Sequence, residues 1–163
     1  MRARRILVLG SGGTGKTSFS RKLARRLDTP HICLDEIWQA TWSADDVPVF
    51  RDLVKAAHAG EAWVSDGNFA LATFDLRLPR ADLVIWLERP KWRQRVAVVR
   101  RLFARGQHHT WRKLPDVLGF ITHFDRVNRP RIMAALAEHG PNVPVRPLRS
   151  RAEEAALISE LGD

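Results

Sequence analysis

The sequence predicts an α/β fold: one three-layer domain over residues 1–163, with a five-stranded parallel sheet covered by helices on both faces. Two observations predict it. Short runs that are apolar almost throughout alternate with longer stretches whose apolar residues recur at helical spacing. Such runs suit strands buried on both faces, not strands with one face in water. The first run, Ile6-Leu7-Val8-Leu9, also leads straight into a glycine-rich loop and then a helical pattern.

That loop is Gly10-Ser11-Gly12-Gly13-Thr14-Gly15-Lys16-Thr17. It matches G-x-x-x-x-G-K-[ST], the phosphate-binding loop of P-loop NTPases. With average residue usage the pattern arises by chance in a chain this long on the order of one time in a hundred. Behind it Phe19, Leu23 and Leu27 fall on one helical face, and Arg21, Lys22, Arg25 and Arg26 fall on the others. Glycines let backbone N–H groups converge on an anion, and the helix end adds its positive dipole. Lys16 is placed to reach β- and γ-phosphates, and the Thr17 hydroxyl to ligate Mg²⁺. Gly10 through Thr17, with Ser18 next in line, are therefore the candidate ATP-binding residues.

The remaining elements follow in order. His31-Ile32-Cys33-Leu34 reads as a second strand, ending in the carboxylates Asp35 and Glu36 at the end where open α/β sheets bind ligands. Asp35 can accept a hydroxyl proton or orient an acceptor, or it can serve as a helix cap. Trp38 and Trp42 follow at i, i+4. A helix is expected from about Asp46 to Gly60, with Val49, Phe50, Leu53, Val54 and Ala57 inward. Ala62-Trp63-Val64-Ser65 reads as the third strand, ending in Asp66-Gly67-Asn68. Asp66 there can hold Mg²⁺ through water, though Asp-Gly-Asn is also a good turn.

A short polar segment through Arg77 and Arg80 is expected before the fourth strand, Leu83-Val84-Ile85-Trp86-Leu87. Pro90 then opens a helix with Trp92, Val96, Val99 and Phe103 on one face. Gly106-Gln107-His108-His109-Thr110 reads as a break fit for a flexible lid, and its histidines lack partners at zinc spacing. A helical pattern resumes at Leu114, is expected to break at Asn128-Arg129-Pro130, and runs on to Gly140-Pro141. Val143-Pro144-Val145 suits an edge strand. Ser150-Arg151-Ala152-Glu153 is a capping-box signature ahead of Leu157, Ile158 and Leu161.

Composition sets the bounds. No apolar run approaches the roughly 18 residues of a membrane span, and the chain starts in a strand rather than a signal segment. The single cysteine, Cys33, cannot form an internal disulfide, so a reducing cytoplasm is expected. The net charge is +9, and the stretch from Arg89 to Arg131 alone holds twelve Lys/Arg against Asp116 and Asp125. Such a segment serves nucleic acid, phosphorylated ligands or a solvated face.

Taken together, Gly10 to Thr17, Leu34-Asp35, Trp63-Val64-Ser65-Asp66-Gly67-Asn68, Asp75-Leu76-Arg77, the arginine-rich helix to Arg105-Gly106, Asn128-Arg129-Pro130 and Leu148-Arg149-Ser150 carry a resemblance. The chain resembles the bacterial DNA topology modulation protein family, a branch of adenylate kinase-like P-loop proteins. The resemblance implies strand order 2-3-1-4-5 and a lid segment at about residues 105–128. It implies ATP phosphates on Gly10 to Thr17, Mg²⁺ near Thr17 and Asp66, and Asp35 on the acceptor side. Arg105 and Arg129 would approach the transferred phosphate, and Arg149 would lie near the adenine. The Asp66 motif continues Asn68-Phe69 where adenylate kinases carry Phe-Pro-Arg.

The expected function is Mg-dependent transfer of the ATP γ-phosphoryl group to an unidentified small acceptor. The alternative class is a nucleic-acid-associated or regulatory P-loop ATPase, suggested by the basic segment and the family label. No DNA- or RNA-binding motif accompanies that charge.

Overall fold

The structure, a computed structural model, describes residues 3–41, 46–105 and 114–162, with the side chains at 70, 71, 101–105, 117 and 120 outside the described part. Its strands are β1 (Arg5–Gly10), β2 (His31–Cys33), β3 (Trp63–Asp66), β4 (Leu83–Leu87) and β5 (Val145–Leu148). Its helices are α1 (Lys16–Arg26), α2 (Leu34–Ala40), α3 (Val47–Ala57), α4 (Ala70–Arg77), α5 (Lys91–Arg105), α6 (Leu114–His139) and α7 (Arg151–Gly162). The strands form one parallel sheet in the order β2-β3-β1-β4-β5. Architecture and strand order agree with the sequence-based expectation.

Alternation along β1 builds the two cores. Leu7 and Leu9 point to a layer of Phe50, Val54, Phe74, Phe124 and Leu136, contributed by α3, α4 and α6. Ile6 and Val8 point the opposite way, onto Phe19 and Leu23 of α1 and Leu157 of α7. All four β1 side chains are wholly buried. Each such burial is worth about 1.5–3 kcal/mol against exposure, so the central strand is firmly anchored. Its carboxyl end is thereby a rigid platform for the glycine loop.

Five expectations need correction. β2 stops at Cys33, and Leu34 already opens α2, so Asp35 and Glu36 sit in a helix's first turn, where the dipole favours carboxylates. The segment through Arg77 and Arg80 is not an irregular polar stretch. It is α4 followed by a 3₁₀ turn at Leu78–Arg80, because Phe74 and Leu78, at i, i+4, are both wholly buried. The inward line of α3 is Phe50, Val54 and His58, and Val49 and Leu53 face solvent.

On α5 the inward residues are Gln94 and Val98, whereas Trp92 and Val96 are exposed. Apolar spacing marked a face there but could not say which face met the protein. Finally, α6 runs unbroken through Pro130. Proline removes one N–H and crowds the preceding turn, yet residue 130 lies on the solvent side, where water can serve the freed carbonyl. Ile121, Phe124, Ile132 and Leu136 hold both halves of the helix to the core.

Other details agree more closely. α3 begins after Asp46 with Pro48 in its first turn. β5 lies at the sheet edge two residues later than expected, with Pro147 opposite Trp86. At α7 the Ser150 hydroxyl accepts the Glu153 N–H at 3.1 Å, while the Glu153 carboxylate reaches back to the Arg149 N–H at 2.7 Å. Trp42 and the segment Gly106 to Thr110 lie outside the described residues, as do the side chains of Phe103 and Arg105.

Candidate functional site

The loop between β1 and α1 is held by close backbone packing. A Cβ on Gly13 (φ +75°) would stand 2.5 Å from the Gln94 carbonyl oxygen at the start of α5. Gly15 caps α1 at φ +93°, a left-handed conformation that other residues adopt only with strain. The Thr14 hydroxyl donates to the Ser11 carbonyl at 2.9 Å and closes the loop from within. Lys16 Nζ lies across it, donating to the carbonyls of Gly10 at 3.0 Å and Ser11 at 2.9 Å. With no acid in the first turn of α1, nothing intrinsic to that helix offsets its positive end.

Beside the loop opens a cavity of about 510 Å³, whose walls include Lys16, Asp35, Asn68, Phe69, Asn128 and Arg131. Asp35 comes from the first turn of α2, whereas Glu36 is turned away and pairs with Arg21 at 2.9 Å. Thr17, Ser18 and Asp35 also line one groove on the α1–α2 side. Glu36 lines that groove too, but of the two first-turn carboxylates only Asp35 also faces the cavity beside the loop.

The turn from β3 to α4 forms the cavity's second wall. Asp66 ends β3 beside Val8 of β1 and Cys33 of β2. It is 1% exposed, and its carboxylate meets His31 Nε2 at 3.1 Å. Asn68 then pairs with the loop itself: Gly10 N–H donates to its Oδ1 at 3.2 Å, and its Nδ2 donates to the Gly10 carbonyl at 3.0 Å. Phe69 follows at φ +28°, a strained conformation for a non-glycine residue, and such strain concentrates at binding sites. Its ring meets Trp38 and Phe50 at centroid distances of 5.9 and 5.2 Å.

Arg77 holds this turn from below. Its side chain is wholly buried, and it donates to the carbonyls of Gly67 at 3.1 Å and Asn68 at 2.8 Å. Burial pushes its pKa down to about 9, against the opposing pull of the nearby Asp66 carboxylate. The sequence reading placed Arg77 in a short polar segment and gave it no partner. The usable signal was its position three residues after Phe74 in a helical pattern.

On the other flank α6 splits its polar residues. Asn128 and Arg131 face the first cavity, but Arg129 points to a second one, of about 380 Å³, lined also by Ser11, Glu88 and Arg149. Glu88 joins two of the expected residues: its carboxylate oxygens bind Arg129 Nη2 and Arg149 Nε, each at 3.0 Å. Arg129 also stacks 5.5 Å above the Trp86 ring. Arg89 is committed elsewhere, to a buried pair with Glu154. Neither Glu88 nor Arg131 was singled out in the sequence. Cys33 is buried and free, and burial pushes its thiol up to about 11, which leaves it a poor nucleophile.

Among the described residues no group of three or more His, Cys, Asp or Glu is placed to hold a metal, and no helix is long and apolar enough to cross a membrane.

The fold and loop together define the class: this chain has the fold of the P-loop kinases. It superposes on shikimate kinase from Bacteroides thetaiotaomicron with a TM-score of 0.56 at 17% identity, covering 98% of this chain and 96% of that one. Shikimate kinase from Acinetobacter baumannii, in complex with shikimate, gives 0.56 at 18% identity, with 97% and 90% covered. A protein provisionally called a kinase, from Chloroflexus aurantiacus, gives 0.60 at 13% identity, with 99% and 95% covered. No family model matches the chain, and no curated protein matches it by sequence. The finer resemblance to the DNA topology modulation family thus has no independent sequence support.

Proposed function

We propose that this protein is a P-loop kinase that transfers the γ-phosphoryl group of ATP to a hydroxyl of a small acceptor. One observation carries the reading: Lys16 of the phosphate loop and Asp35 of α2 line the same cavity. A kinase needs a cation at the transferred phosphoryl group and, for a hydroxyl acceptor, a carboxylate beside it.

The roles follow from the chemistry of the side chains. Backbone N–H groups from Gly10 to Thr17, with Ser18, bind the phosphates, and Lys16 exchanges its two carbonyl partners for β- and γ-oxygens. Asp35 orients the acceptor hydroxyl and takes its proton as the acceptor oxygen bonds to phosphorus and the bond to the β–γ bridging oxygen breaks, releasing ADP. Arg129 lines the second cavity together with Ser11 of the loop. In this reading it exchanges Glu88 for the phosphoryl oxygens to stabilise their developing charge, with Arg105 assigned to assist. Arg149 flanks the adenine.

The donor set suits Mg²⁺, which prefers few hard oxygen ligands and keeps several waters. Thr17 would hold it from the groove that it shares with Asp35, and Asp66, buried at the end of β3 and paired with His31, would act on it through water. When bound, the ion supplies neutralisation of phosphate charge.

The reading accounts for three of the twelve cations of the basic stretch without nucleic acid. Arg89 pairs with Glu154, Lys91 with Asp125 and Arg129 with Glu88, so these cations answer internal acids. A buried free thiol at Cys33 suits a reducing cytoplasm.

The test measures ADP release from Mg·ATP across a panel of hydroxylated metabolites, starting with shikimate because one structural neighbour holds it. Asp35→Asn should abolish acceptor-stimulated release while leaving Mg·ADP binding in place. Full acceptor-stimulated turnover by the Asn variant would overturn the role of Asp35. No stimulation by any hydroxyl acceptor would count against the kinase reading itself.

A further inference from the structure

We infer that the acceptor cavity selects molecules carrying an anionic group apart from the reacting hydroxyl, and that Arg131 on α6 is the residue that selects them. The inference rests on the kinase reading above for the hydroxyl and adds what the rest of the molecule must be.

The argument starts from the charges around the cavity. Among the described residues its ionisable wall groups are Lys16, Asp35 and Arg131. Lys16 lies on the phosphate loop and answers nucleotide charge. Asp35 lies at the hydroxyl end. Arg131 is left, and among the described residues it makes no ion pair or hydrogen bond. Its neighbour Arg129 behaves in the opposite way, tied to Glu88 and stacked on Trp86. Two arginines two positions apart on one helix thus face different cavities, one satisfied within the protein and one free for a ligand.

Helix geometry sharpens the point. Asn128, Arg131 and Ile132 stand at i, i+3 and i+4, one face of α6, and all three line the cavity opposite Asp35 and Asn68. An amide beside a guanidinium is a donor pair suited to a carboxylate or phosphate, which a guanidinium grips through two parallel hydrogen bonds. Ile132 and Phe69 leave an apolar surface for the body of the molecule. The acceptor class is therefore a small molecule with a hydroxyl at one end, an anion at the other and a partly apolar middle. A neutral polyol of the same size would gain nothing from Arg131, which is exposed and hydrated without a ligand.

The test uses the full-length protein with Mg·ADP bound, so that the phosphate loop is already filled. Matched probes differ only in the anion: glycerol, glycerate and glycerol 3-phosphate, then glucose, gluconate and glucose 6-phosphate. Ligands that bind only the folded state raise its melting temperature. The anionic members should raise it and the neutral members should not. The carboxylate and phosphate arms identify which anion is preferred.

Arg131→Gln should weaken the anionic probes at least about tenfold, and Arg131→Lys should recover part of that, keeping the charge but losing the fork. For any probe that is phosphorylated, the loss should appear in KM more than in kcat. Equal shifts from neutral and anionic probes, no shift from any anionic probe, or an anionic advantage that survives Arg131→Gln would overturn the inference. Arg131-dependent binding without phosphoryl transfer would instead sink the kinase reading and leave this one standing. Transfer to neutral acceptors alone would do the reverse.

Discussion

Asn68 reads both backbone groups of Gly10, accepting its N–H at 3.2 Å and donating to its carbonyl at 3.0 Å. A residue at the end of β3 thereby fixes the first residue of the phosphate loop, which lies 58 positions earlier in the chain. The pairing has a further support beneath it. Arg77, wholly buried, holds the carbonyls of Gly67 and Asn68, so the turn cannot swing away without stranding a buried guanidinium. Because Asn68 also lines the cavity beside Lys16 and Asp35, the phosphate loop and that cavity share one rigid part.

That arrangement predicts an ordered pair of defects. Asn68→Ala removes both hydrogen bonds and should cost about 1–2 kcal/mol of stability. Asn68→Asp keeps an acceptor for the Gly10 N–H but sets a carboxylate against the Gly10 carbonyl and near the nucleotide phosphates. It should weaken Mg·ADP binding further than Ala does, by about tenfold or more. Calorimetric titration of the two variants checks this. Wild-type affinity in both would mean that the loop holds its shape without Asn68.

A second prediction concerns His58, which the sequence left unremarked. It is 1% exposed, with Nδ1 at 2.7 Å from the Val54 carbonyl and Nε2 at 2.9 Å from the Ser65 hydroxyl. A carbonyl only accepts, so Nδ1 carries the proton and Nε2 accepts from Ser65. Burial, opposed by the Val54 hydrogen bond and aided by Arg77 and Arg80, lowers its pKa from 6.5 to about 4. Between those values the unfolded chain binds a proton that the folded protein refuses. Stability from this group is therefore complete above about pH 6.5 and lost as pH falls toward 4, by about 3 kcal/mol in all. Urea unfolding at pH 7, 6 and 5 should show His58→Gln less stable at pH 7 but with a shallower decline. Parallel declines would exclude His58 as the source.

These residues also show what the sequence could and could not reveal. The phosphate loop was legible because its glycines, lysine and threonine act within eight consecutive positions, where local geometry decides everything. The inner strands were legible because burial on both faces demands unbroken apolar runs, whereas β5, an edge strand with Val145, Arg146 and Pro147 exposed, was placed two residues early. Arg77 and His58 were not, since each is a polar side chain whose burial depends on partners supplied by other elements. The α5 face failed for a related reason: Trp92 and Val96 share a helical stripe, yet they are 62% and 47% exposed. Periodicity identifies a stripe and leaves open whether the core or the solvent meets it. Arg129 and Arg131 differ by two positions and face different cavities, a distinction that needs Glu88 from β4's end to become visible.

The final prediction separates the kinase from a nucleic-acid protein. If the basic stretch served DNA, its cations would be free on the surface and would release counterions on binding, with log K falling by about 0.9 per phosphate contacted for each decade of salt. Instead Arg89, Lys91 and Arg129 are paired with Glu154, Asp125 and Glu88. Of these only the Arg89–Glu154 pair is buried and would be lost on binding phosphates, and the kinase reading assigns Arg129 to a single phosphoryl group. Duplex and single-stranded DNA should therefore bind weakly at low salt and not measurably near physiological salt. Arg129→Gln should lower phosphoryl transfer by about a hundredfold or more, as loss of a transition-state cation does, while barely altering DNA affinity. The measurement is a salt titration of DNA binding with and without Mg·ATP, run beside acceptor-stimulated ADP release. Tight, ATP-dependent DNA binding that persists at physiological salt and disappears in Arg129→Gln would transfer the basic stretch from phosphoryl chemistry to nucleic-acid recognition.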